Sequence, residues 1–523
     1  MLRKEKIALL LWLLSIPTVI WIARFPLCVT YDGGVYIYGA KSLAQGQDFQ
    51  FVDSKGGRHP ESGWPPGYSM AIAAFHLLTR QGLVASARGI NCISSLLFLF
   101  LWLFFFTKII RGAGFAFLAS IILLVSPGHW NFLGVALSEG LFMVFLGLAA
   151  LSVYYAHTYL TGKPHTFWIL VLSLSILAAC LTRYAGLAFA MGTTIFLFTG
   201  LFTSKKQRAL FDTGIFLSVM VAGALPWLIR NKWATGKYSL MIPINTQIID
   251  KISLRTILDF LSKIGFQVFS LPDSLQTAGL FWTALVLSLT IFSIFYLKKF
   301  RCEAFYSSPL FWMIAVSLCY IPLLFYTTLA FFSFFHLKMR YYWILTPFLI
   351  GLFTVLAEAL SHALKKQPSI LARILLGGIW IVLFVTGFSG ASRSYAEIKE
   401  IFQRKDALME GVVFYPEVFG SSKEAIDWLK KNLRHEDLLF SNYSKFVPVL
   451  WEGDLDCFQA EVDLNKQVKE WSRPYQKVYL LLSKSNFHYQ NRLEWTEYLS
   501  SLKYRVFFED SNTFLCEVSV KKD

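Results

Sequence analysis

The chain has 523 residues, 49 of them Phe, and only 16% of its side chains are charged against 55% hydrophobic. That balance is too apolar and too aromatic for an ordinary soluble fold and places the chain among polytopic membrane proteins. Its formal charge of +16 is spread between apolar runs, which points to anionic lipid and phosphate as partners and away from nucleic acid.

The first apolar run, about residues 7–23, follows Arg3, Lys4 and Lys6, so the chain is expected to enter from the cytoplasm. No small-residue cleavage site follows it, and many more apolar runs do, so it reads as a retained span and not a signal peptide. Just beyond it stands Tyr31-Asp32-Gly33-Gly34-Val35-Tyr36, which puts a carboxylate at the outer mouth of the first span. Asp32 in this setting suits either a helix N-cap or the start of chemistry on a lipid-linked substrate.

Hydropathy predicts eleven spans, near 7–23, 88–107, 113–128, 138–156, 166–182, 185–203, 210–228, 279–297, 308–326, 342–360 and 373–390. The short connections that this order assigns to the cytoplasm hold Lys and Arg more densely than the outer ones, as the positive-inside rule expects. Two outer segments are long, 24–87 and 229–278. Within the first, Val35–Leu43 and Tyr68–Leu78 are too short to span and suit helices lying in the interface.

Several ionisable residues fall at the predicted outer ends of the spans. Glu139 opens the fourth, where a helix dipole favours a carboxylate. Arg183 and Tyr184 sit between two apolar runs with almost no loop, and an arginine near lipid usually faces a polar cavity or snorkels to headgroups. Lys338, Arg340 and Tyr341 precede the tenth span, where an interfacial aromatic-cationic anchor and a phosphate site are both open readings. Arg58 lies in the first long outer segment.

After residue 390 the composition turns polar, predicting a small extracytoplasmic α/β domain over 391–523. Ser421-Ser422-Lys423-Glu424 is a capping box that opens a helix with Ala425, Ile426, Leu429 and Leu433 on one face. Glu436–Phe440, Lys477–Ser483, Tyr504–Glu509 and Thr513–Val518 read as strands, and Asn491–Leu502 as a second helix. The seven Cys residues include no pair at metal-ligand spacing, and a disulfide between Cys457 and Cys516 is left open.

Carboxylates and cations meeting on one side of the bilayer suit transfer of a sugar from a polyprenyl phosphate. The phosphate leaving group needs Arg or Lys, and the acceptor needs a base. At this point the chain resembles the GT-C fold membrane glycosyltransferases, in particular the bacterial protein O-mannosyltransferase and aminoarabinose-transferase-like group. The motifs that carry the likeness are Tyr31-Asp32-Gly33, Trp64-Pro65-Pro66-Gly67-Tyr68, Ser138-Glu139-Gly140-Leu141-Phe142, Leu181-Thr182-Arg183-Tyr184, Pro226-Trp227-Leu228-Ile229-Arg230-Asn231 and Arg340-Tyr341.

The resemblance spans about residues 1–390. It implies that Asp32 is the catalytic carboxylate, that Glu139 is a second acidic site residue, and that Arg340 helps hold the lipid phosphate, with Lys338, Arg58 and Arg183 as further cations. Many relatives carry a second acid directly after the Asp where this chain has Gly33, so a metal-independent reaction without a cofactor is expected. The implied partners are a polyprenyl-phosphate sugar donor, a lipid, glycan or protein acceptor, and the lipids of a bacterial inner membrane. A flippase for lipid-linked glycans is the chief rival, although such transporters often show two similar halves and no internal repeat is evident here. A non-catalytic assembly or sensor protein is a third reading.

Overall fold

The computed structural model describes residues 3–24, 27–29, 31–52, 58–159, 163–202, 206–236, 260, 308–330, 338–365, 392, 412–414, 423–434, 437–441, 457–459, 477–483, 503–509 and 513–519. The membrane portion begins with α1 (Arg3–Ile22), a short strand β1 (Leu27–Val29) and α2 (Tyr31–Ala44). A hairpin of β2 (Gln50–Val52) and β3 (Arg58–Pro60) leads to α3 (Gly67–Thr79). Then come α4 (Leu83–Ile109), α5 (Ala113–Leu124), α6 (Pro127–Leu133), α7 (Glu139–Tyr159), α8 (Lys163–Thr182), α9 (Gly186–Thr199) and α10 (Lys206–Thr235). After a gap in the described residues follow α11 (Pro309–Ala330), α12 (Lys338–Trp343) and α13 (Thr346–Lys365).

Among the described residues, seven helices are long and apolar enough to cross a membrane, and each coincides with a span expected from hydropathy. The expected spans at 113–128 and 185–203 are observed as helices of 12 and 14 residues. At 1.5 Å per residue these reach about 18 and 21 Å, short of a hydrocarbon core of about 30 Å. The first of them stops at Leu124, and a separate helix starts at Pro127, whose missing N–H is one that a helix's first residue leaves unpaired in any case. The expected spans 279–297 and 373–390 lie outside the described residues. The stretches Val35–Leu43 and Tyr68–Leu78, expected as short helices, are helical, in α2 and α3.

Lipid tails are as apolar as leucine, so these helices are held by packing and polar bonds more than by water exclusion. Trp102, Phe105, Phe106, Trp312 and Phe348 are fully enclosed, with Trp102 edge-on to Phe348 at 4.9 Å. Two of the enclosed indoles are hydrogen-bonded: Trp102 Nε1 donates to the Met143 carbonyl at 3.2 Å and Trp312 Nε1 to Thr193 Oγ1 at 3.0 Å.

The helix ends expected on the cytoplasmic side are tied by charge. Lys108 pairs with Glu5 at 2.5 Å, and Lys4 Nζ donates to the Ile110 carbonyl at 2.8 Å, at the C-terminus of α4. Glu358 of α13 accepts the backbone N–H groups of Arg111 and Gly112, the otherwise orphaned donors at the start of α5. His165 joins three helices, with Nδ1 at 3.0 Å from the Ala156 carbonyl and Nε2 at 2.9 Å from Asp212 Oδ2.

Toward the C-terminus, a five-stranded sheet has the order β6-β5-β7-β9-β8, where β5 is Leu438–Ser441, β6 Cys457–Gln459, β7 Val478–Ser483, β8 Tyr504–Glu509 and β9 Thr513–Val518. The pairs β5–β6 and β5–β7 are parallel, and β7–β9 and β8–β9 are antiparallel. The four strands expected from sequence are present, and β6 is additional. The helix Lys423–Asn432 buries Ala425 and Leu429, two of the residues expected on its apolar face. The expected helix Asn491–Leu502 lies outside the described residues.

The sheet corrects the disulfide left open above. Cys457 on β6 and Cys516 on β9 are three strand spacings apart, about 14 Å, where a disulfide needs Cα atoms within roughly 7 Å. Cys516 is a buried free thiol, and burial pushes it up to about 12. A further strand, β4 (Val412–Phe414), pairs in parallel with β1, register Leu27 to Val412, and so returns the late chain to the exit of the first helix.

Candidate active site

The site forms where α2, α7, the α8–α9 turn and α12 converge. Asp32 sits in the first turn of α2 and is half-buried, so it lies inside the helix and not at its cap. One helical turn further on, the Tyr36 hydroxyl and Ser138 Oγ share a hydrogen bond at 3.1 Å. Burial pushes the Tyr36 hydroxyl well above its ordinary range, with the Arg183 charge acting against the shift and Asp32 and Glu139 reinforcing it. All three charges therefore act on one hydroxyl. The close approach depends on Gly33: a Cβ there would fall 2.6 Å from the Ala136 carbonyl oxygen and 3.1 Å from Ala136 Cβ.

Glu139 is the first residue of α7 and is 0% exposed. Its carboxylate meets Arg183 Nη1 at 2.7 Å, and the same Nη1 donates to Ser138 Oγ at 3.1 Å. Arg183 follows the last residue of α8, and only 9% of it reaches the surface. Its guanidinium lies 5.4 Å from the centre of the Tyr341 ring, a favourable cation–π distance. An arginine between two apolar helices is thus answered by a buried acid, a hydroxyl and an aromatic face.

Tyr184 is turned toward the hairpin, where its hydroxyl donates to the Ser62 carbonyl at 2.8 Å and receives the Trp227 indole N–H at 3.4 Å. Of the residues expected to serve the site, Asp32, Glu139, Arg183 and Tyr341 gather here, while Tyr184 braces the wall. Lys338 and Arg340 lie on α12, Arg340 directly before Tyr341, and Arg58 opens β3. The side chains of these three lie outside the described residues.

Two partners escaped the sequence reading. Tyr36 and Ser138 stood inside the quoted motifs, yet each is a common residue whose role appears only when α2 meets α7. A small cavity beside the site, lined by Asn91, Ser95, Phe98, His129, Leu133, Gly140 and Trp343, adds a Ser95 Oγ–His129 Nε2 contact at 3.1 Å. Burial pushes His129 down to about 3, so its ring is neutral near pH 7. Among the described residues no three His, Cys, Asp or Glu side chains gather closely enough to hold a metal ion.

No protein-family model matches the chain, and no curated protein sequence matches it. Solved structures do. ArnT from Cupriavidus metallidurans in the apo state aligns over 98% of this chain and 97% of its own, with a TM-score of 0.59 at 13% identity. The same ArnT bound to undecaprenyl phosphate aligns over the same shares, with a TM-score of 0.58 at 12% identity. An oligosaccharyltransferase from Archaeoglobus fulgidus aligns over 96% of this chain and 72% of its own, with a TM-score of 0.52 at 10% identity. With nearly its whole length laid on these membrane proteins, the chain has the GT-C fold.

Proposed function

We propose that this chain is a membrane glycosyltransferase that moves a sugar from a polyprenyl-phosphate donor to a lipid, glycan or protein acceptor. The observation that carries the reading is the buried Arg183–Glu139 pair, one hydroxyl relay away from the helix turn that bears Asp32. The likeness to an ArnT structure bound to undecaprenyl phosphate supports the donor class.

In this reading Asp32 takes the proton of the acceptor hydroxyl or amine as that group attacks the anomeric carbon. The bond to the polyprenyl phosphate breaks on the opposite face, so a single displacement inverts the centre. A positioned carboxylate base contributes roughly 10²–10⁴-fold. The leaving phosphate is received by cations, with Arg340, Lys338 and Arg58 proposed for that task and Arg183 behind them. Glu139, already committed to Arg183, acts by holding that guanidinium at its station. Residues 1–390 form the transferase unit, open to the outer face of a bacterial inner membrane, and residues 391–523 cover the cleft or receive the acceptor.

The test is reconstitution in liposomes with radiolabelled polyprenyl-phosphate sugar. Wild-type protein consumes the donor, and Asp32→Asn abolishes transfer while still inserting and folding. Near-normal turnover by Asp32→Asn sinks the assignment of the base. Label that crosses the bilayer without being consumed favours the flippase, and label left untouched favours a scaffold.

A further inference from the structure

Arg230, near the C-terminal end of α10, carries a dense set of polar contacts. Its Nη1 donates to the Glu61 carbonyl at 2.6 Å and to Asn231 Oδ1 at 2.9 Å. Its Nη2 donates to the Phe49 carbonyl at 2.7 Å and meets Asp48 Oδ2 at 2.6 Å. The guanidinium also stacks over Trp227 at 4.8 Å. One side chain therefore grips both feet of the β2–β3 hairpin, at Phe49 before it and Glu61 after it.

Both feet lead to the site. The Phe49 ring is 1% exposed and wedged under α2, where a Cβ on Gly39 would fall 2.1 Å from it. Gly39 lies two helical turns after Asp32 on the same helix. From the other foot, Ser62 follows Glu61 and accepts the Tyr184 hydroxyl, one residue from Arg183. Arg230 touches neither Asp32 nor Arg183 in the described contacts, yet it fixes the two segments that fix them.

We infer that Arg230 is a positioning residue: its clamp on the Phe49 and Glu61 carbonyls sets the placement of α2, with Asp32, relative to the Arg183 turn. The inference rests on the proposed function for its catalytic consequence but not for its geometric one. The two carbonyl bonds are the working part of the clamp. The Asp48 side chain is 50% exposed, and an ion pair so wet adds little. A lysine at 230 reaches at most one of the two carbonyls, because the planar two-pronged head is lost.

The experiment pairs hydrogen exchange with kinetics on the full chain in detergent or liposomes. Arg230→Ala and Arg230→Lys are expected to speed amide exchange in residues 50–52, 58–61 and α2, while Asp48→Asn leaves it unchanged. In the transfer assay both Arg230 variants are expected to lose roughly 10–100-fold in kcat, the scale of a displacement of about 1 Å at a reacting centre, with donor KM nearly constant. Unchanged exchange in α2 on removal of the guanidinium overturns the inference, whatever the activity does. Faster exchange with unaltered kcat also overturns it, since the clamp then has no bearing on the reacting groups. If wild-type protein transfers no sugar, the proposed function fails, and exchange alone decides whether Arg230 sets the placement of α2.

Discussion

Glu139→Gln keeps the shape of the side chain and removes its charge, taking away the carboxylate that meets the buried Arg183 at 2.7 Å. Breaking a buried pair from one side typically costs about 3–5 kcal/mol, because the remaining charge is stranded. Arg183→Met is the harsher change of the two: it strands a carboxylate that is 0% exposed, whereas Arg183 keeps a 9% opening to solvent. The double variant removes both charges. It should lie within about 2 kcal/mol of wild type, a residual cost from the lost Ser138 bond and the lost stacking on Tyr341. The double-mutant cycle then gives a coupling of at least about 4 kcal/mol. Chemical denaturation in mild detergent, followed by tryptophan fluorescence, measures it. Single costs that simply add to within about 0.5 kcal/mol would mean that the two groups do not interact, and the account of the site would fall with them.

Gly33→Ala should separate α2 from the Ala136–Ser138 segment, at a cost of about 1–3 kcal/mol for overpacking against backbone; a crosslink between cysteines placed at 36 and 138 would weaken in this background, and an unchanged yield would count against the contact. Glu358→Ala should cost about 1–2 kcal/mol by uncapping the start of α5, with little effect on transfer rate per folded molecule; a loss of rate at unchanged stability would contradict the purely structural role. Cys516, with its thiol raised to about 12, should hold roughly a thousandfold less thiolate near pH 8 than a thiol at the ordinary 9.0. Maleimide should label it only after denaturation, and any stability its protonation adds should fade as pH climbs from about 9 toward 12. Identical mobility in reducing and non-reducing gels checks the related point that Cys457 and Cys516 are not joined.

Much of this architecture was legible because length and run composition suffice for it. The seven full-length helices are long apolar runs, and the strands of the C-terminal sheet are short aliphatic and aromatic runs. The ends of the spans also announced Glu139, Arg183 and Tyr341, since an ionisable residue beside lipid needs a reason. What the sequence hid was pairing. Nothing local says that Arg183 answers Glu139, that Tyr36 meets Ser138, or that Glu358 caps a helix 246 residues earlier. The shortness of α5 was hidden by hydropathy, which averages across the break at Pro127. Arg230 lay inside a quoted motif, but its grip on two backbone carbonyls leaves no trace in side-chain identity.

The parallel pairing of residues 27–29 with residues 412–414 has a consequence for biogenesis. The strand immediately upstream of Asp32 acquires its neighbour only after almost four-fifths of the polypeptide has been synthesised. Until then the short strand at the exit of the first helix is an unpaired edge. A chain stopped before residue 412 would therefore lack the partner of β1, and the segment that leads into α2 would gain it only late in synthesis.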